Sequence, residues 1–237
     1  MYKRQVIQAG GLGTRLRPYT LVLPKPLMPV SGTPVIEMLL KWLRRNGVDE
    51  SYITTGYLGH LIKALCGDGS QWDLAISYSE EPEPLGTVGA LTLLEDKLDD
   101  TFLVLNGDLI TDLNINEFRN FHKSHGGMLT VGVTNKTVNV DLGVLDIDNS
   151  VVTGFHEKPT LNYTVSMGIY FMQPEILEFI PKGVPFGMDN LIHAMLDKGE
   201  KVHVFKHDGM WMDIGRPEDF ESAQDVFEEN RNVLLGH

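Results

Sequence analysis

Segments with the pattern of strands and of helices alternate along the first 125 residues, and this alternation constrains the fold more than any other feature of the sequence. Short apolar runs at 4–8, 51–56, 73–79 and 101–108 are typical of buried strands. Between the first two runs, "PVIEMLLKWLRRNG" has apolar residues at i, i+3, i+4 and i+7 from Ile36, the spacing of a helix. The alternation predicts an α/β fold with a Rossmann-like, mostly parallel central sheet and helices on both faces.

The pattern changes after about residue 125. The runs "MLTVGVT", "GVLDID", "VVTGFHE" and "VSMGIYFM" are separated by short, turn-like spacers and predict antiparallel strands that extend or flank the first sheet. Helices are predicted at "GTVGALTLLED" in the first half and at "PEILEFI", "FGMDNLIHAMLDKG" and "RPEDFESAQDVFEENR" in the second. We expect one domain over 1–237, with a front half of about 1–125, a back half of about 126–237 and no further domain.

Composition narrows the class of protein. The 237 residues carry a net charge of −12, which argues against general nucleic-acid binding because such binding needs a basic face. A single cysteine, Cys66, excludes an internal disulfide and suits a reducing compartment. No signal-peptide pattern and no apolar stretch long enough to span a membrane occurs. We therefore expect a cytoplasmic protein that does not bind membranes, and homo-oligomerisation stays open.

The acidic residues are unevenly distributed. None of the 32 Asp and Glu residues precedes Glu37, whereas five basic residues do: Lys3, Arg4, Arg15, Arg17 and Lys25. An acidic chain that keeps one segment free of carboxylates and supplied with cations is expected to bind an anion there.

The glycine-rich turn "AGGLGTR" follows the first predicted strand in this acid-free segment. The dinucleotide-binding pattern G-x-G-x-x-G fails because Leu16 stands where the third glycine is needed. The P-loop pattern fails because no G-K-[S/T] occurs. Glycines let backbone N–H groups approach phosphate oxygens, and the planar guanidinium of Arg15 can hold two oxygens at once. The alternative is a flexible turn with surface arginines; the charge distribution favours a phosphate site.

The segment "AGGLGTRLRPYTLVLPKPLMPV" resembles the opening of the sugar nucleotidyltransferases, whose pattern is G-G-x-G-T-R-L-x-P-x-T followed by P-K-P. Later segments, "EPLGTVGAL", "LNGDLI", "EKP", "GIY" and "WMDIG", resemble later motifs of the family in the same order. The resemblance implies the nucleotide-diphospho-sugar transferase fold. It also implies a Mg²⁺-dependent reaction in which a nucleoside triphosphate and a sugar 1-phosphate give a nucleoside-diphosphate sugar and pyrophosphate.

The resemblance and the chemistry together assign roles. Arg15, Lys25 and Asp108 are the expected catalytic residues, and Asp108 with Asp213 is expected to hold Mg²⁺. Predicted nucleotide-binding residues are Ala9, Gly10, Gly11, Gly13, Thr14, Arg15, Gly86, Thr87 and Asn106, with Glu81 or Glu80 accepting hydrogen bonds from the base. Predicted sugar-phosphate-binding residues are Gly143, Glu157, Lys158 and Ser166. Because several of these follow predicted parallel strands, we expect them to converge at one edge of the sheet.

Substrate identity is less determined. "LGTVGAL" is most similar to guanylyl-transferring members and predicts GTP, with uridylyl and thymidylyl transfer as alternatives. The expected acceptor is a mannose-, glucosamine- or manno-heptose-type 1-phosphate, used in polysaccharide biosynthesis. Two departures from the family pattern affect the pocket: Gln8 replaces an apolar residue, and Ser166 replaces a sugar-contacting Asn.

Two rival functions and several weaker motifs remain. The rivals are a catalytically silent paralogue that binds sugar nucleotides and a glycosyltransferase that holds a metal through Asp146 and Asp148. We interpret that D-x-D as two carboxylates beside a turn. The remaining histidine pairs are expected to lie on solvated surface: His122 with His125, and His203 with His207.

Overall fold

The computed structural model describes residues 4–235 and forms an α/β fold whose central sheet separates two helical layers. The strands are β1 (Gln5–Ala9), β2 (Pro29–Val30), β3 (Thr33–Pro34), β4 (Glu50–Thr55), β5 (Ala75–Glu80), β6 (Phe102–Asn106), β7 (Leu109–Thr111), β8 (Leu129–Asn139), β9 (Val144–Asp148), β10 (Val151–His156), β11 (Thr160–Met172), β12 (Val202–Lys206) and β13 (Trp211–Asp213). The α-helices are α1 (Val35–Arg45), α2 (Gly59–Cys66), α3 (Gly86–Gly89), α4 (Ile115–His125), α5 (Met188–Asp197) and α6 (Pro217–Leu235).

The central sheet has the strand order β12-β8-β11-β6-β1-β4-β5. The strands β6, β1, β4 and β5 run parallel, whereas β11 is antiparallel to both β6 and β8. The predicted antiparallel additions therefore extend the sheet through β8 and β11, while β9 and β10 form a separate two-stranded hairpin. The mostly parallel sheet predicted from the sequence is confirmed.

Alternate residues of the same strands face opposite layers of helix. Ile7 and Leu105 pack with α1, α2 and α4 on one face, and Val6 and Val104 pack with the segment 88–98 and α5 on the other. This alternation buries both faces of the central strands and explains their nearly continuous apolar sequences. A third apolar cluster joins α6 to α1 and to Leu16, which follows the glycine-rich turn.

Two predicted helices differ from expectation. In 86–96, an α-helical turn ends at Gly89 and a 3₁₀-helix follows at Ala90–Leu94, and the N–H groups of Val88 and Gly89 donate to the carbonyl of Phe186. The segment "PEILEFI" is likewise a 3₁₀-helix, Pro174–Phe179. Tertiary contacts override the helical pattern in the first segment, and the second is too short for a stable α-helix.

No helix within residues 4–235 is both long enough and apolar enough to span a membrane.

Candidate active site

The carboxyl ends of the parallel strands open into a cleft of about 450 Å³. All the residues predicted to bind the nucleotide, except for the alternative Glu80, line this cleft: Ala9, Gly10, Gly11, Gly13, Thr14, Arg15, Glu81, Gly86, Thr87 and Asn106. Lys25 and Asp108 line it as well. The expected convergence at one sheet edge is therefore present in the fold.

The glycine-rich turn presents backbone to the cleft, and glycine is favoured at two of its positions. A Cβ at Gly10 would overlap the carboxylate of Glu81. Gly13 has φ +60°, and its carbonyl accepts a hydrogen bond of 2.8 Å from Thr20 Oγ1. Arg15 follows in a 3₁₀ turn, is exposed, and forms no ion pair with a residue that the structure describes. Its guanidinium is therefore available to an anion.

Of the basic residues in the acid-free segment, Arg15 and Lys25 reach the cleft. Arg4 pairs with Asp99 instead, and Arg17 is exposed outside the cleft lining. Lys3 lies outside the described residues. Two basic side chains of this segment, Arg15 and Lys25, therefore contribute positive charge to the cleft.

Lys25 bridges the two aspartates that the sequence singled out. Its Nζ forms an ion pair with Asp108 Oδ2 and lies 3.2 Å from Asp213 Oδ1. The Lys25 and Asp108 side chains are 13% and 12% exposed, and that of Asp213 is 35% exposed. Asp213 does not line the cleft as Lys25 and Asp108 do, and it contacts the group through Lys25.

A short antiparallel ladder brings Asp108 and Asp213 together across 105 residues of sequence. In the β7–β13 pair Asp213 lies opposite Leu109, and the Ile214 N–H donates to the Asp108 carbonyl at 3.1 Å. Gly107 precedes Asp108, and a Cβ there would lie 2.9 Å from the Gln8 carbonyl. The turn after β6 therefore needs glycine in order to press against β1.

Burial dominates the electrostatics of Asp108. It raises the pKa of that carboxyl, Lys25 acts in the opposite direction, and the Asp213 charge raises the pKa further. Asp108 Oδ1 is buried and has no hydrogen-bond partner among the described residues. A buried carboxylate oxygen without a donor is costly and is suited to binding a cation.

Glu81 is another charged residue of the cleft lining. Glu81 Oε2 accepts a hydrogen bond of 2.9 Å from the Leu85 N–H, and burial raises the pKa of its carboxyl. Glu80, the alternative, is exposed, pairs with Lys63 at 2.8 Å and does not line the cleft. The geometry therefore favours Glu81 over Glu80.

None of the four residues predicted to bind the sugar phosphate lines the cleft. Gly143, Glu157 and Lys158 border the β9–β10 hairpin, are exposed, and do not line the cleft. Gly143 is close to Glu157, since a Cβ there would lie 3.5 Å from the Glu157 carboxylate. Ser166 sits at an irregularity of β11, where its hydroxyl is 3.0 Å from that of Tyr170.

The expectation that His122 lies on a solvated surface is wrong. Its side chain is fully buried, with Nδ1 2.8 Å from Thr130 Oγ1 and Nε2 3.0 Å from Gln173 Nε2. Burial lowers the pKa of His122 to about 4, so the ring is neutral at physiological pH. Its helical spacing from Ile115 and Phe118, at i+7 and i+4, was the signal in the sequence.

The other weaker motifs of the sequence lie outside the cleft. Asp146 is exposed and accepts a hydrogen bond of 2.9 Å from His156 Nε2, as expected for a carboxylate on a hairpin. His125 is exposed, whereas His203 and His207 are partly buried, and His207 Nε2 lies 2.9 Å from Asp112. The surface position expected for the last two is therefore only partly correct, because His203 lies against His125 of α4 and His207 lies against Asp112.

Seven residues of the cleft lining had no role assigned from the sequence: Gln8, Leu12, Pro26, Thr54, Pro84, Gly107 and Gly215. Thr54 lines it from the end of β4, and Gly215 lines it just after Asp213. Gln8 lines it from the end of β1, where the sequence showed only a departure from the family pattern. The position of Thr54 near the end of a predicted parallel strand was a usable signal.

Comparisons with known proteins support the resemblance. Residues 4–230 match the family model described as nucleotidyl transferase. Over 93% of its length the chain is 32% identical to UTP–glucose-1-phosphate uridylyltransferase of Synechocystis, and over 92% it is 35% identical to the probable mannose-1-phosphate guanylyltransferase 2 of Arabidopsis thaliana. The chain spans 62% and 63% of the length of these two relatives.

A solved structure shares the fold. The crystal structure of HddC from Yersinia pseudotuberculosis is 29% identical, with a TM-score of 0.75 over 96% of this chain and 100% of that one. A second structure of HddC, complexed with GMP-PN, gives a TM-score of 0.73 at 28% identity. The fold is that of the nucleotide-diphospho-sugar transferases, and the chain belongs to the nucleotidyl transferase family, among relatives named as sugar nucleotidyltransferases.

Proposed function

We propose that the protein is a sugar-1-phosphate nucleotidyltransferase that converts a nucleoside triphosphate and a sugar 1-phosphate into a nucleoside-diphosphate sugar and pyrophosphate. One observation carries the proposal. A single cleft joins a glycine-rich turn, the free guanidinium of Arg15 and the ammonium of Lys25, and Lys25 connects it to Asp108 and Asp213. This is a site for phosphates held against a cation-binding pair of carboxylates.

The reaction needs charge neutralisation rather than a base. An oxygen of the sugar phosphate attacks the α-phosphorus in line, the bond to the β-phosphate bridging oxygen breaks, and pyrophosphate leaves with that electron pair. A phosphomonoester has a second pKa near 6, so the attacking oxygen is already largely ionised at neutral pH. The remaining barrier lies in orienting two polyanions and in stabilising the charge shared by attacking and leaving oxygens.

The cleft supplies donors for this purpose. We assign Arg15 to the triphosphate and the departing pyrophosphate, where its fork holds two oxygens. Lys25 lies in a 3₁₀ turn between Pro24 and Pro26, and its ammonium is nearly buried at the cleft wall. We assign Lys25 to phosphate oxygens near the reacting centre, with the backbone of the glycine turn around the other phosphates.

Asp108 and Asp213 fit a Mg²⁺ ion. Mg²⁺ prefers carboxylate and phosphate oxygens, and the buried Asp108 Oδ1 is an oxygen without a donor. Within residues 4–235 no group of three or more His, Cys, Asp or Glu side chains is placed to hold a metal, so substrate phosphates and water would complete the coordination. A bound Mg²⁺ would neutralise charge that develops on the phosphates.

We propose GTP as the triphosphate and a mannose-, glucosamine- or manno-heptose-type 1-phosphate as the acceptor. The Glu81 carboxylate in the cleft supports a base with hydrogen-bond donors, as guanine has. The guanylyltransferase name of the Arabidopsis relative supports the same choice, and the uridylyltransferase name of the Synechocystis relative is the alternative. Ser166, Gly143, Glu157 and Lys158 remain the proposed sugar-phosphate contacts.

The test is pyrophosphate release in Mg²⁺, with GTP, UTP or dTTP, in the presence and absence of each of the three sugar 1-phosphates. We expect release that requires both substrates and is fastest with GTP. Release without a sugar phosphate, or none in a folded protein that still binds nucleotide, contradicts the proposal, and the second result favours a silent paralogue or an acceptor outside the three sugar phosphates.

Two variants separate the proposal from a metal-dependent glycosyltransferase. Lys25→Ala should lower kcat/KM by about 10²–10³-fold, as expected when one electrostatic contact to the transition state is lost. Asp146→Ala, an exposed hairpin carboxylate, should leave the rate within about twofold, in line with a surface change away from the site. The reverse result, with Asp146 essential and Lys25 dispensable, would favour the glycosyltransferase.

A further inference from the structure

Gln8 is a polar residue near the carboxyl end of β1, whose central residues Val6 and Ile7 are apolar. It belongs to β1 and pairs with Thr54 of β4 on one side and Asn106 of β6 on the other. All three residues line the cleft. Gln8 therefore stands at the floor of the proposed nucleotide site, in the middle of the parallel strands.

The orientation of the Gln8 amide is set by its surroundings. Its Nε2 donates a hydrogen bond to the Thr87 carbonyl. The reverse orientation would place two carbonyl oxygens against each other, so the contact with Thr87 fixes which end of the amide is nitrogen. The Thr87 side chain is itself held, because its Oγ1 accepts a hydrogen bond of 2.8 Å from the Met188 N–H.

The carbonyl end of the same amide lacks a partner. Gln8 Oε1 is shielded from solvent and accepts no hydrogen bond from the described residues. A buried carbonyl without a donor is unfavourable, and a ligand that supplies a donor relieves this cost. Gln8 lines the cleft, so a nucleobase bound there would lie beside this residue.

A second acceptor lies near this end of the cleft. Glu81 follows β5, its N–H donates to the Thr55 carbonyl of β4, and its carboxylate lies against Gly10, two residues after Gln8. The Leu85 N–H occupies one carboxylate oxygen and leaves acceptor capacity on the other. The site thus combines an amide carbonyl and a carboxylate, both of which accept hydrogen bonds.

We propose that Gln8 is a specificity-determining residue, whose carbonyl accepts a hydrogen bond from the nucleobase and, with the Glu81 carboxylate, selects guanine. Guanine carries two neighbouring donors, N1–H and the N2 amine, whereas uracil and thymine carry one N–H between two carbonyl acceptors. Two acceptors in the protein match the first edge and oppose the second. The inference rests on the proposed nucleotidyl transfer and specifies how that site chooses its base.

The test compares Gln8→Leu and Gln8→Met with the wild type, using GTP, ITP, UTP and dTTP. ITP keeps N1–H and lacks the N2 amine, so it separates the two donors. The matched control is Gln5→Leu, because Gln5 is a buried glutamine of the same strand with an unpartnered amide but does not line the cleft. Each variant is measured for kcat/KM by pyrophosphate release and for nucleotide Kd by calorimetry, after thermal unfolding shows that it is folded.

We expect both Gln8 variants to lower kcat/KM and affinity for GTP about tenfold, as for the loss of one hydrogen bond, whereas the values for UTP stay the same or rise because an acceptor that opposes the uracil carbonyls is gone. Gln5→Leu should leave the GTP-to-UTP ratio unchanged. If Gln8 only holds Thr87 in place, its variants would lower kcat/KM and affinity equally for all nucleotides, and that result overturns the proposal. A wild-type preference for UTP or dTTP, or an unchanged ratio in the variants, overturns it too.

Failure of the proposed function is distinguishable from failure of this inference. If the wild type binds nucleotides but releases no pyrophosphate, nucleotidyl transfer is contradicted, and the Kd ratio still decides the role of Gln8. A GTP-to-UTP affinity ratio that falls in the Gln8 variants and not in Gln5→Leu supports base selection by Gln8 in either case.

Discussion

Asp108 combines a functional assignment with an electrostatic cost. Its pKa is raised in the folded protein chiefly because burial disfavours the charged form, with Asp213 adding to the effect and Lys25 opposing it. A raised pKa in the folded state stabilises the protein below the pKa of the unfolded state, and this contribution is lost as pH rises through the folded pKa. At neutral pH the buried Asp108 carboxyl therefore costs stability.

The first prediction follows from that sign. Asp108→Asn should abolish nucleotidyl transfer and raise the free energy of unfolding at pH 7, without metal, by about 1 kcal/mol, or roughly 2–4 °C in Tm. The advantage over the wild type should shrink as pH falls, because the wild-type carboxyl becomes protonated. Thermal unfolding in chelator from pH 3 to 8 measures this difference. A variant that is less stable at pH 7 would show that the pairing with Lys25 outweighs the cost of burial.

The glycine-rich turn offers a matched pair of substitutions. A Cβ at Gly10 would overlap the Glu81 carboxylate, whereas a Cβ at Gly11 meets nothing within 4 Å. Gly10→Ala should push the Glu81 carboxylate away from its hydrogen bond with the Leu85 N–H and lower the free energy of unfolding by about 1 kcal/mol. Gly11→Ala should change it by less than about 0.5 kcal/mol, as for most surface substitutions, yet weaken triphosphate binding because the methyl group enters the cleft.

Urea unfolding and nucleotide calorimetry on both glycine variants separate the two effects. If Gly11→Ala leaves nucleotide affinity unchanged, the turn does not approach the phosphates closely, and the phosphate assignment of this loop is wrong.

At the scale of elements, the β7–β13 pair determines where Asp213 stands. Each strand has three residues, and side-chain hydrogen bonds reinforce the ladder. Thr111 Oγ1 donates to the Met210 carbonyl, and Trp211 Nε1 donates to the Met167 carbonyl of β11, both at 2.9 Å. The indole therefore ties the strand that carries Asp213 to the central sheet.

Trp211→Phe should remove this tie while keeping an aromatic ring. Because the Met167 carbonyl loses its donor, we expect a loss of about 1–3 kcal/mol in the free energy of unfolding, together with reduced kcat from a less fixed Asp213. Trp72→Phe is the control, since Trp72 packs on the same apolar cluster from the segment between α2 and β5. Equal effects of the two substitutions on kcat would argue against a positioning role for the Trp211 N–H.

The elements also show what the sequence could and could not predict. β1, its glycine turn and α1 follow from apolar spacing and turn residues close together in the chain, and the structure confirms them within one or two residues. The β7–β13 ladder was not predictable, because three-residue strands 100 residues apart carry no periodic pattern. The same holds for the Gln8–Thr87 hydrogen bond, which depends on how the loop before α3 packs against Phe186.

At the scale of the whole molecule, the predicted front and back halves share one sheet. β6 of the front half pairs with β11 of the back half over four residue pairs, and β8 and β12 continue the sheet beyond it. The cleft also joins distant parts of the chain, since Gly10–Arg15, Lys25 and Gly215 all line it. Elements that share a sheet and a site are expected to unfold together.

The last prediction tests this coupling. Nucleotide and Mg²⁺ at about 100 times Kd should stabilise the folded protein by about 2.7 kcal/mol and raise Tm by about 5–10 °C, in a single transition that shifts as a whole. Calorimetry with and without GTP and Mg²⁺ measures the shift, and Lys25→Ala, which weakens the proposed phosphate contacts, should reduce it. Two transitions, of which ligand moves only one, would mean that the halves unfold separately. In that case the shared β6–β11 pairing would be too weak to make 1–237 one cooperative domain.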